Sequence, residues 1–219
     1  MAIIKSGGGS DTCIEIDPTF ASFMGSYRAP EVGVGGYYRA SLNSGTITAL
    51  AGGAMFFGFQ NPSTNLAVVQ NVSVGFRAVA GNTSAPFIAS MYFTRSYTVI
   101  DTTGALAATS FKGQMLTQTR ATQLNCIYRI ANTSAMSGGT GTDDSQPLNS
   151  LVFTHPGAVS TLGNYPMFQQ NPGGLMMPTY PVIFAQNEGF RLRVDTTALS
   201  GSNTFVAFVD IEWLECTSF

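Results

Sequence analysis

Alternation of apolar and polar side chains in residues 66–99 is the sequence feature that most constrains the fold. The first half of this stretch predicts a strand with Asn71, Ser73 and Arg77 on its polar face. Gln70 is the only residue that interrupts the opposite, apolar face. That other face consists of Val68, Val72, Val74, Phe76 and Ala78. A period of two is typical of a strand that buries one side. The segment therefore predicts a half-buried β-strand.

The second half of this stretch repeats the pattern after a short polar turn at residues 81–84. Its apolar face consists of Phe87, Ala89, Met91, Phe93, Tyr97 and Val99. Arg95 interrupts that face. Turn residues between two alternating runs are the usual signature of a hairpin, so residues 66–99 predict a β-hairpin with a buried face. Residues 190–194 and 205–213 alternate in the same way around a Gly-Ser-Asn turn and predict a second hairpin.

Other runs predict further strands along the chain. These are residues 37–50, with a turn at 43–45, and residues 54–59, 150–154 and 182–185. Residues 115–130 fit either a short helix or a loop followed by a strand, and their β-branched side chains favour the second. Short strands with turn signals between them indicate an all-β fold. We expect an antiparallel β-sandwich that is jelly-roll-like, with long irregular Pro/Gly-rich loops.

Composition divides the chain into an arm and one domain. Residues 1–36 contain clustered glycines, and we expect them to form an extended N-terminal arm that a neighbouring subunit holds in place. Deleting residues 1–12 should then weaken assembly. Residues 37–219 are expected to form a single β-sandwich domain with a long irregular insertion around residues 135–181. Proline and glycine are frequent in that insertion, so only residues 150–154 predict a strand there.

Charge is scarce in this sequence. Charged residues make up 10% of the chain, against about 25% in ordinary globular proteins, and none occurs in residues 40–76 or 145–187. Uncharged polar side chains fill these tracts, a composition that suits burial against neighbouring subunits. We expect a homo-oligomer, and a monomer with a Ser/Thr-rich face is the alternative. The net charge of −2 provides no electrostatic footprint for a nucleic acid.

Cysteine usage and hydropathy bear on the cellular compartment. The three cysteines, Cys13, Cys126 and Cys216, lie too far apart for a CxxC or Cys/His site and fit reduced, packed thiols. No apolar signal core follows Met1, and the longest apolar run, residues 49–59, is too short to span a bilayer. We therefore expect a protein made in the cytoplasm of a cell, with no membrane partner.

Two segments of the sequence invite a chemical interpretation and lack part of the required pattern. His155 is the only histidine, and no serine lies in the G-x-S-x-G turn that would give it a nucleophile to activate. Residues 138–141 are rich in glycine but lack the lysine of a phosphate-binding loop. Neither segment predicts a catalytic residue or a cofactor site.

Two carboxylate pairs complete the candidates for chemistry. Asp143 and Asp144 are adjacent and could hold an ion weakly with Thr140 and Ser145, but a solvated acidic turn is the favoured interpretation. Asp210 and Glu212 share a strand face, and hydrolysis of a glycoside needs two carboxylates brought together in space. Solvated strand charges are the simpler interpretation for this pair as well. We expect no metal, no cofactor and no enzymatic activity.

Arginine is the basic residue of this chain, since it supplies eight of the ten basic side chains. Its planar fork pairs with carboxylates and stacks on aromatic rings, and it is enriched at subunit interfaces. The best candidate contacts between subunits are Arg77 and Arg95 in the first alternating stretch and Arg191 and Arg193 in the later one. For each of them, a single exposed strand arginine is the alternative.

Several segments together resemble tailed-bacteriophage virion structural proteins. They read NLAVV at residues 65–69, FTRSYTVIDTTG at 93–104, ANTSAMSGGTGTDDSQPL at 131–148, AQNEGF at 185–190 and VDIEW at 209–213. The opening MAIIKSG is also similar to the start of small phage structural proteins. These segments cover about half of the chain in the right order.

The resemblance implies a non-enzymatic component of the virion. The favoured role is a capsid decoration or cement protein that binds the major capsid protein, or another virion protein, and stabilises the head lattice. The alternative is a receptor- or glycan-binding module associated with the tail or a fibre. In both cases we expect a homo-oligomer located in the virion.

Overall fold

The computed structural model of the chain describes residues 35–48, 52–80, 84–106, 113–114, 126–156, 160–169, 182–195 and 203–216. These ranges form thirteen β-strands and contain no helix, and hence none that could cross a membrane. In chain order, the strands are β1 (Gly35–Asn43), β2 (Ile47–Thr48), β3 (Ala54–Asn61), β4 (Leu66–Ala80), β5 (Ser84–Val99), β6 (Gly113–Gln114), β7 (Ile127–Ile130), β8 (Thr140–Asp143), β9 (Asn149–Pro156), β10 (Ser160–Gln169), β11 (Val182–Phe184), β12 (Glu188–Val194) and β13 (Thr204–Cys216).

The strands form two antiparallel sheets packed face to face. The seven-stranded sheet has the order β10-β4-β13-β1-β6, with β11 also beside β4 and β2 beside β13. The six-stranded sheet has the order β7-β3-β12-β5-β8, with β9 also beside β5. The predicted all-β class and the antiparallel β-sandwich are confirmed. The jelly-roll connectivity and the long Pro/Gly-rich loops stay predictions. Of the predicted arm at residues 1–36, residues 1–34 lie outside the described residues, and residues 35–36 belong to β1 and pair with β13.

Aromatic side chains from both sheets fill the core. Phe76 of β4 contacts four other phenylalanine rings at centroid distances of 4.7–5.5 Å, from Phe153, Phe87, Phe205 and Phe56. Towards the other end of the sandwich, Phe59 of β3 meets Trp213 of β13 at 5.5 Å. Edge-to-face and stacked rings of this kind add to the free energy gained by burying their area. The apolar faces predicted from alternation therefore form one shared core.

Both predicted hairpins are wrong in their pairing, although their strands are placed correctly. β4 belongs to the seven-stranded sheet and β5 to the six-stranded sheet, and β12 and β13 are divided in the same way. Each connection therefore crosses from one sheet to the other. Alternation reports which side of a strand is buried, and it is equally satisfied when two consecutive strands face each other across the core. That is why the pattern did not distinguish the two arrangements.

A β-bulge in β4 corrects the predicted apolar face. Asn71 pairs with Glu212 and Val69 with Trp213, so Gln70 is an extra residue in the ladder. The extra residue shifts the alternation, and Ala67 and Val69 join Val72, Val74 and Phe76 in the core cluster, which does not include Val68. The interruption at Gln70 was the mark of this bulge.

The end of β5 also departs from the predicted alternation. Ser96 adopts a positive φ of 50°, and the pairing with β8 is irregular between Arg95 and Val99. As a result, Val99 is 50% exposed, and Tyr97, although fully buried, contacts Arg191 on the outer face of the sheet and does not join the core cluster. A left-handed backbone conformation at one residue reverses the face of the sheet to which each of the following side chains points.

The segment at residues 135–181 contains three strands, β8, β9 and β10, where the sequence predicts one. β10 tolerates Pro166 because it is the edge of its sheet, where a missing N–H costs no ladder hydrogen bond. The predicted strand at residues 150–154 lies within β9. The other strand predictions are confirmed for the described residues, including the turn after Asn43 and the strand at the end of residues 115–130, of which 115–125 lie outside the description.

Candidate functional site: an arginine–carboxylate network on the six-stranded sheet

Charged and phenolic side chains gather on the outer face of the six-stranded sheet. β12 alternates between the core, reached by Phe190, Leu192 and Val194, and this outer face, reached by Arg191 and Arg193. β5, β8 and the segment after β5 surround the two arginines with aspartates and tyrosines. We call this group, comprising Tyr92, Thr94, Tyr97, Asp101, Asp143, Arg191, Arg193 and Asp195, the arginine network.

Arg191 is the buried centre of the arginine network. Its side chain is 9% exposed and that of Asp101 is 3% exposed. The guanidinium Nε and NH2 both lie 3.0 Å from Asp101 Oδ2, and NH1 lies 3.0 Å from Asp143 Oδ1. Its Cζ lies 4.5 Å from the centre of the Tyr97 ring. The charge of Arg191 is therefore met by two carboxylates and an aromatic face within the same chain.

Arg193 extends the network towards solvent. Its NH1 donates to Asp143 Oδ2 at 2.9 Å and its NH2 lies 3.4 Å from Asp195 Oδ1. The guanidinium stacks over Tyr92, with Cζ 3.9 Å from the ring centre, and the Tyr92 hydroxyl donates to Asp195 at 2.6 Å. Asp143 thus links the two arginines, and Thr94 Oγ1 donates to the same carboxylate at 2.9 Å.

The glycine-rich segment noted in the sequence packs onto this network. Gly139 N–H donates to Asp101 Oδ1 at 2.8 Å, and a Cβ on Gly139 would lie 2.5 Å from that carboxylate. The Gly141 carbonyl accepts a 3.4 Å contact from Arg191 NH1, and a Cβ there would lie 2.7 Å from Thr94 Cγ2. These glycines allow close approach of the backbone to the aspartate, which is a packing role.

Burial raises the pKa of both tyrosines in the network. Burial, followed by the hydrogen bond to Asp101, raises the pKa of Tyr97. Burial and the hydrogen bond to Asp195 raise the pKa of Tyr92 in the same direction. Burial alone would lower the pKa of Arg191, but Tyr97, Asp101 and Asp143 outweigh it and the net shift is upward. The network therefore holds charged arginines and neutral tyrosines across the neutral pH range.

Arg95 and Arg77, the other two predicted contact residues, lie away from this centre. Arg95 is 55% exposed on β5, where it meets Asp144 at 2.9 Å and Glu188 at 3.4 Å. Arg77 is exposed on β4, in the other sheet, and makes no ion pair within the described ranges. The structure thus brings Arg191 and Arg193 together, places Arg95 nearby on the surface, and separates Arg77. A role of these four residues between subunits stays a prediction.

A second polar group is buried inside the sandwich. Glu215 of β13 is 2% exposed. Its Oε1 accepts the Cys126 N–H at 3.0 Å and the Trp213 Nε1–H at 3.2 Å. Burial, followed by Glu215, raises the pKa of the Cys126 thiol well above its usual range, and burial raises the pKa of Tyr38 to about 12. This arrangement ties the start of β7 to β13 and keeps the thiol protonated.

The remaining sequence candidates do not form a reactive site among the described residues. Asp143 pairs with both network arginines and Asp144 with Arg95, in place of the predicted solvated turn. Asp210 accepts a hydrogen bond from Ser41, and Glu212 lies 3.5 Å from Arg39. No cluster of potential metal ligands is found within the described part of the chain. The side chain of His155 lies outside the description.

Sequence reasoning missed Asp101, Tyr92, Tyr97 and Glu215 as members of polar groups. Asp101 was interpreted only as part of a turn, and no local pattern reports its approach to Arg191, 90 residues further along. Glu215 did carry a detectable pattern. It continues the core-facing alternation of Phe205, Ala207, Val209, Ile211 and Trp213, and a carboxylate in phase with a core predicts a buried, hydrogen-bonded group.

The arrangement is suited to cross-linking the strands of the six-stranded sheet. Every carboxylate of the arginine network accepts hydrogen bonds or ion pairs from the same chain, and the guanidinium groups are held by two carboxylates each. Such pairing fixes β5, β8, β12 and the segment after β5 against one another. No family model matches this chain, and a comparison with curated proteins finds no match.

Proposed function

We propose that this chain is a non-enzymatic structural protein of a tailed-bacteriophage virion, acting as a capsid decoration or cement protein. In this role it binds the major capsid protein or a neighbouring virion protein as a homo-oligomer and stabilises the head lattice. Its work is mechanical, since many copies share the outward pressure of packaged DNA.

The convergence of the virion-like segments in the fold is the observation that carries this proposal. Residues 93–104, 131–148 and 185–190 are far apart in sequence and meet on one side of the six-stranded sheet. Arg95 joins Asp144 and Glu188, Thr94 joins Asp143, and Tyr97 N–H donates to the Asn187 carbonyl at 2.7 Å. Segments that resemble one protein class and that also pack together support a shared structural unit.

The properties of that unit fit a load-sharing role. A buried network in which each charge is met by several partners resists separation, because losing one partner leaves an uncompensated buried charge. The exposed Arg95 pair lies beside it and offers a charged contact at the surface. Charge is scarce in the chain as a whole, at 10% of residues, and this composition suits contacts that are buried between subunits.

Copy number in purified particles tests the proposal. The chain and the major capsid protein are quantified in the same particles by mass spectrometry with labelled reference peptides. A decoration protein is expected at copy numbers comparable to those of the major capsid protein. A handful of copies per particle would overturn the decoration role and favour the tail- or fibre-associated alternative.

Reconstitution tests the stabilising action itself. Particles that lack the chain are incubated with purified wild-type protein, and the temperature at which DNA is released is compared with that of untreated particles. We expect the release temperature to rise with wild-type protein and to rise less with Arg95→Ala. Arg39→Ala is the matched control, since Arg39 is 52% exposed and Arg95 55% but Arg39 lies in the other sheet. No rise with the wild type contradicts the proposal.

A further inference from the structure

Within the described part of the chain, β9 presents a strand edge with no ladder partner at one side of the sandwich. Among the described residues its only ladder partner is β5, with an unbroken register from Ser84↔Pro156 to Met91↔Asn149. One edge of an eight-residue strand therefore carries main-chain N–H and C=O groups directed away from the sheet. Such an edge is a template for pairing with another strand.

Two other described edges, those of β10 and β7, are protected by devices that β9 lacks. β10 contains Pro166 and two register irregularities. β7, at the opposite edge of the six-stranded sheet, is four residues long and contains Arg129. Charge, proline, bulges and short length are the usual means of blocking edge pairing. β9 is long and regular, its proline stands only at its last position, and it lies within residues 145–187, which carry no charge.

Apolar side chains are exposed beside this edge. Val152 is 70% exposed, Tyr165 51% and Leu148 46%. β9 and β10 are joined across the two sheets, because Asn149 Nδ2 donates to the Met167 carbonyl at 2.6 Å and the Phe153 and Tyr165 rings lie 5.8 Å apart. The exposed side chains thus belong to one side of the sandwich, which combines an open ladder edge with an apolar surface.

We propose that β9 pairs with β9 of a second copy of this chain, antiparallel and about a twofold axis. Charge argues for this occupant. A charged partner would find no opposite charge on residues 145–187, whereas two copies of the same neutral edge meet without repulsion. A twofold axis makes the interface self-complementary, and antiparallel strands satisfy this symmetry directly. Val152, near the middle of β9, then lies close to Val152 of the second copy.

The pairing rests on the homo-oligomer of the proposed function and specifies its contact, whereas the virion role is tested separately by copy number in particles. Symmetry gives the pairing a sharp test, since each substitution near the axis occurs twice and faces itself. The molar masses of wild type, Val152→Lys, Val152→Glu and an equimolar mixture of the two variants are measured by size-exclusion chromatography with light scattering. The Val152 side chain is mostly exposed, so we expect both variants to fold.

The wild type is expected at twice the chain mass of 23.1 kDa, or at an even multiple of it. Each variant alone is expected to lose the β9 contact and halve that mass, because like charges face each other, and the mixture is expected to restore it. Ile127→Lys, on the β7 edge, is the matched control and should leave the mass unchanged. A monomeric wild type, an unchanged mass in either Val152 variant, a mixture that fails to restore assembly, or dissociation by Ile127→Lys each overturns the proposal.

Discussion

Arg191 and Arg95 make the same kind of contact in two different surroundings. Both lie on the six-stranded sheet, and both meet two carboxylates within 3.4 Å. The side chain of Arg191 is 9% exposed and that of Arg95 is 55% exposed. In the sequence both are strand arginines, Arg95 between two hydroxyl residues and Arg191 between two apolar ones, and each was predicted to contact another subunit.

The difference in exposure distinguishes an arginine that stabilises the fold from one that a partner protein can contact. Buried ions have lost their hydration, so removing one member leaves the others uncompensated at high cost. Exposed ions exchange a partner for water at little cost, and salt screens them. Arg191 is therefore expected to act on stability and Arg95 on association. The predictions below separate these two roles.

The largest effect is expected for Arg191→Ala. Asp101 is 3% exposed and would lose the guanidinium group whose Nε and NH2 both contact it. Asp143 would keep Arg193 as its one cation. We expect the free energy of unfolding to fall by about 3–5 kcal/mol, the range for breaking a buried ion pair. Urea denaturation followed by circular dichroism measures it.

The double variant Arg191→Ala/Asp101→Asn is the control that identifies the cause. If an uncompensated carboxylate is responsible, neutralising Asp101 recovers part of the lost stability, although it is a second change in the same network. A double variant less stable than Arg191→Ala alone would contradict this account and point to lost packing of the arginine stem.

Glu215→Ala extends the comparison to a carboxylate inside the core. The substitution leaves the Cys126 N–H and the Trp213 Nε1–H without this acceptor. Each buried donor without a partner costs about 1–3 kcal/mol, so we expect a loss of at least about 2 kcal/mol for the two donors together. Glu215→Gln keeps an oxygen acceptor and should lose less. Trp213 is the only tryptophan, so its fluorescence reports both unfolding and the local change, and equal losses for the two variants would argue against the hydrogen-bond account.

Much of the fold could be predicted from the sequence because strand burial is a local property. The alternation of residues 66–80 and 205–213 located two long strands, together with the core face of the second and that of the first after Gln70. Pairing is not local, which is why both predicted hairpins proved to be crossings between sheets. The bulge at Gln70 and the positive φ of Ser96 are single-residue events that alternation shows only as irregularities.

The site was less predictable than the fold, for a related reason. Alternation placed Arg191 and Arg193 on the outer face correctly, but an outer face is not necessarily exposed. Asp101 and residues 138–141 cover Arg191, and their approach depends on contacts between distant parts of the chain. Sequence reasoning therefore identified the two arginines and missed Asp101, the carboxylate that is buried against Arg191.

Alkaline pH should weaken the fold through its buried phenols. Burial raises the pKa of Tyr38 from 10.0 to about 12, and burial raises the pKa of Tyr97, Tyr92 and Tyr128 as well. Above pH 10 the unfolded chain releases these protons while the folded chain retains them, so the free energy of unfolding falls as the pH rises from 10 towards 12. Urea midpoints across this interval measure the slope, and Tyr97→Phe should make it shallower. A midpoint independent of pH in this interval would contradict the assignment.

The smallest effect on stability is expected for Arg95→Ala, and this result completes the contrast with Arg191. Its partners Asp144 and Glu188 are 38% and 24% exposed and can take water in its place. The urea midpoint should stay within experimental error of wild type at both low and high salt, because a screened surface pair contributes little in either condition. If Arg95 acts between subunits, the same variant binds less well to particles or to its own copies, most clearly at low salt. A large loss of stability in Arg95→Ala would place this residue with Arg191 as part of the fold, and unchanged association would remove it as a contact.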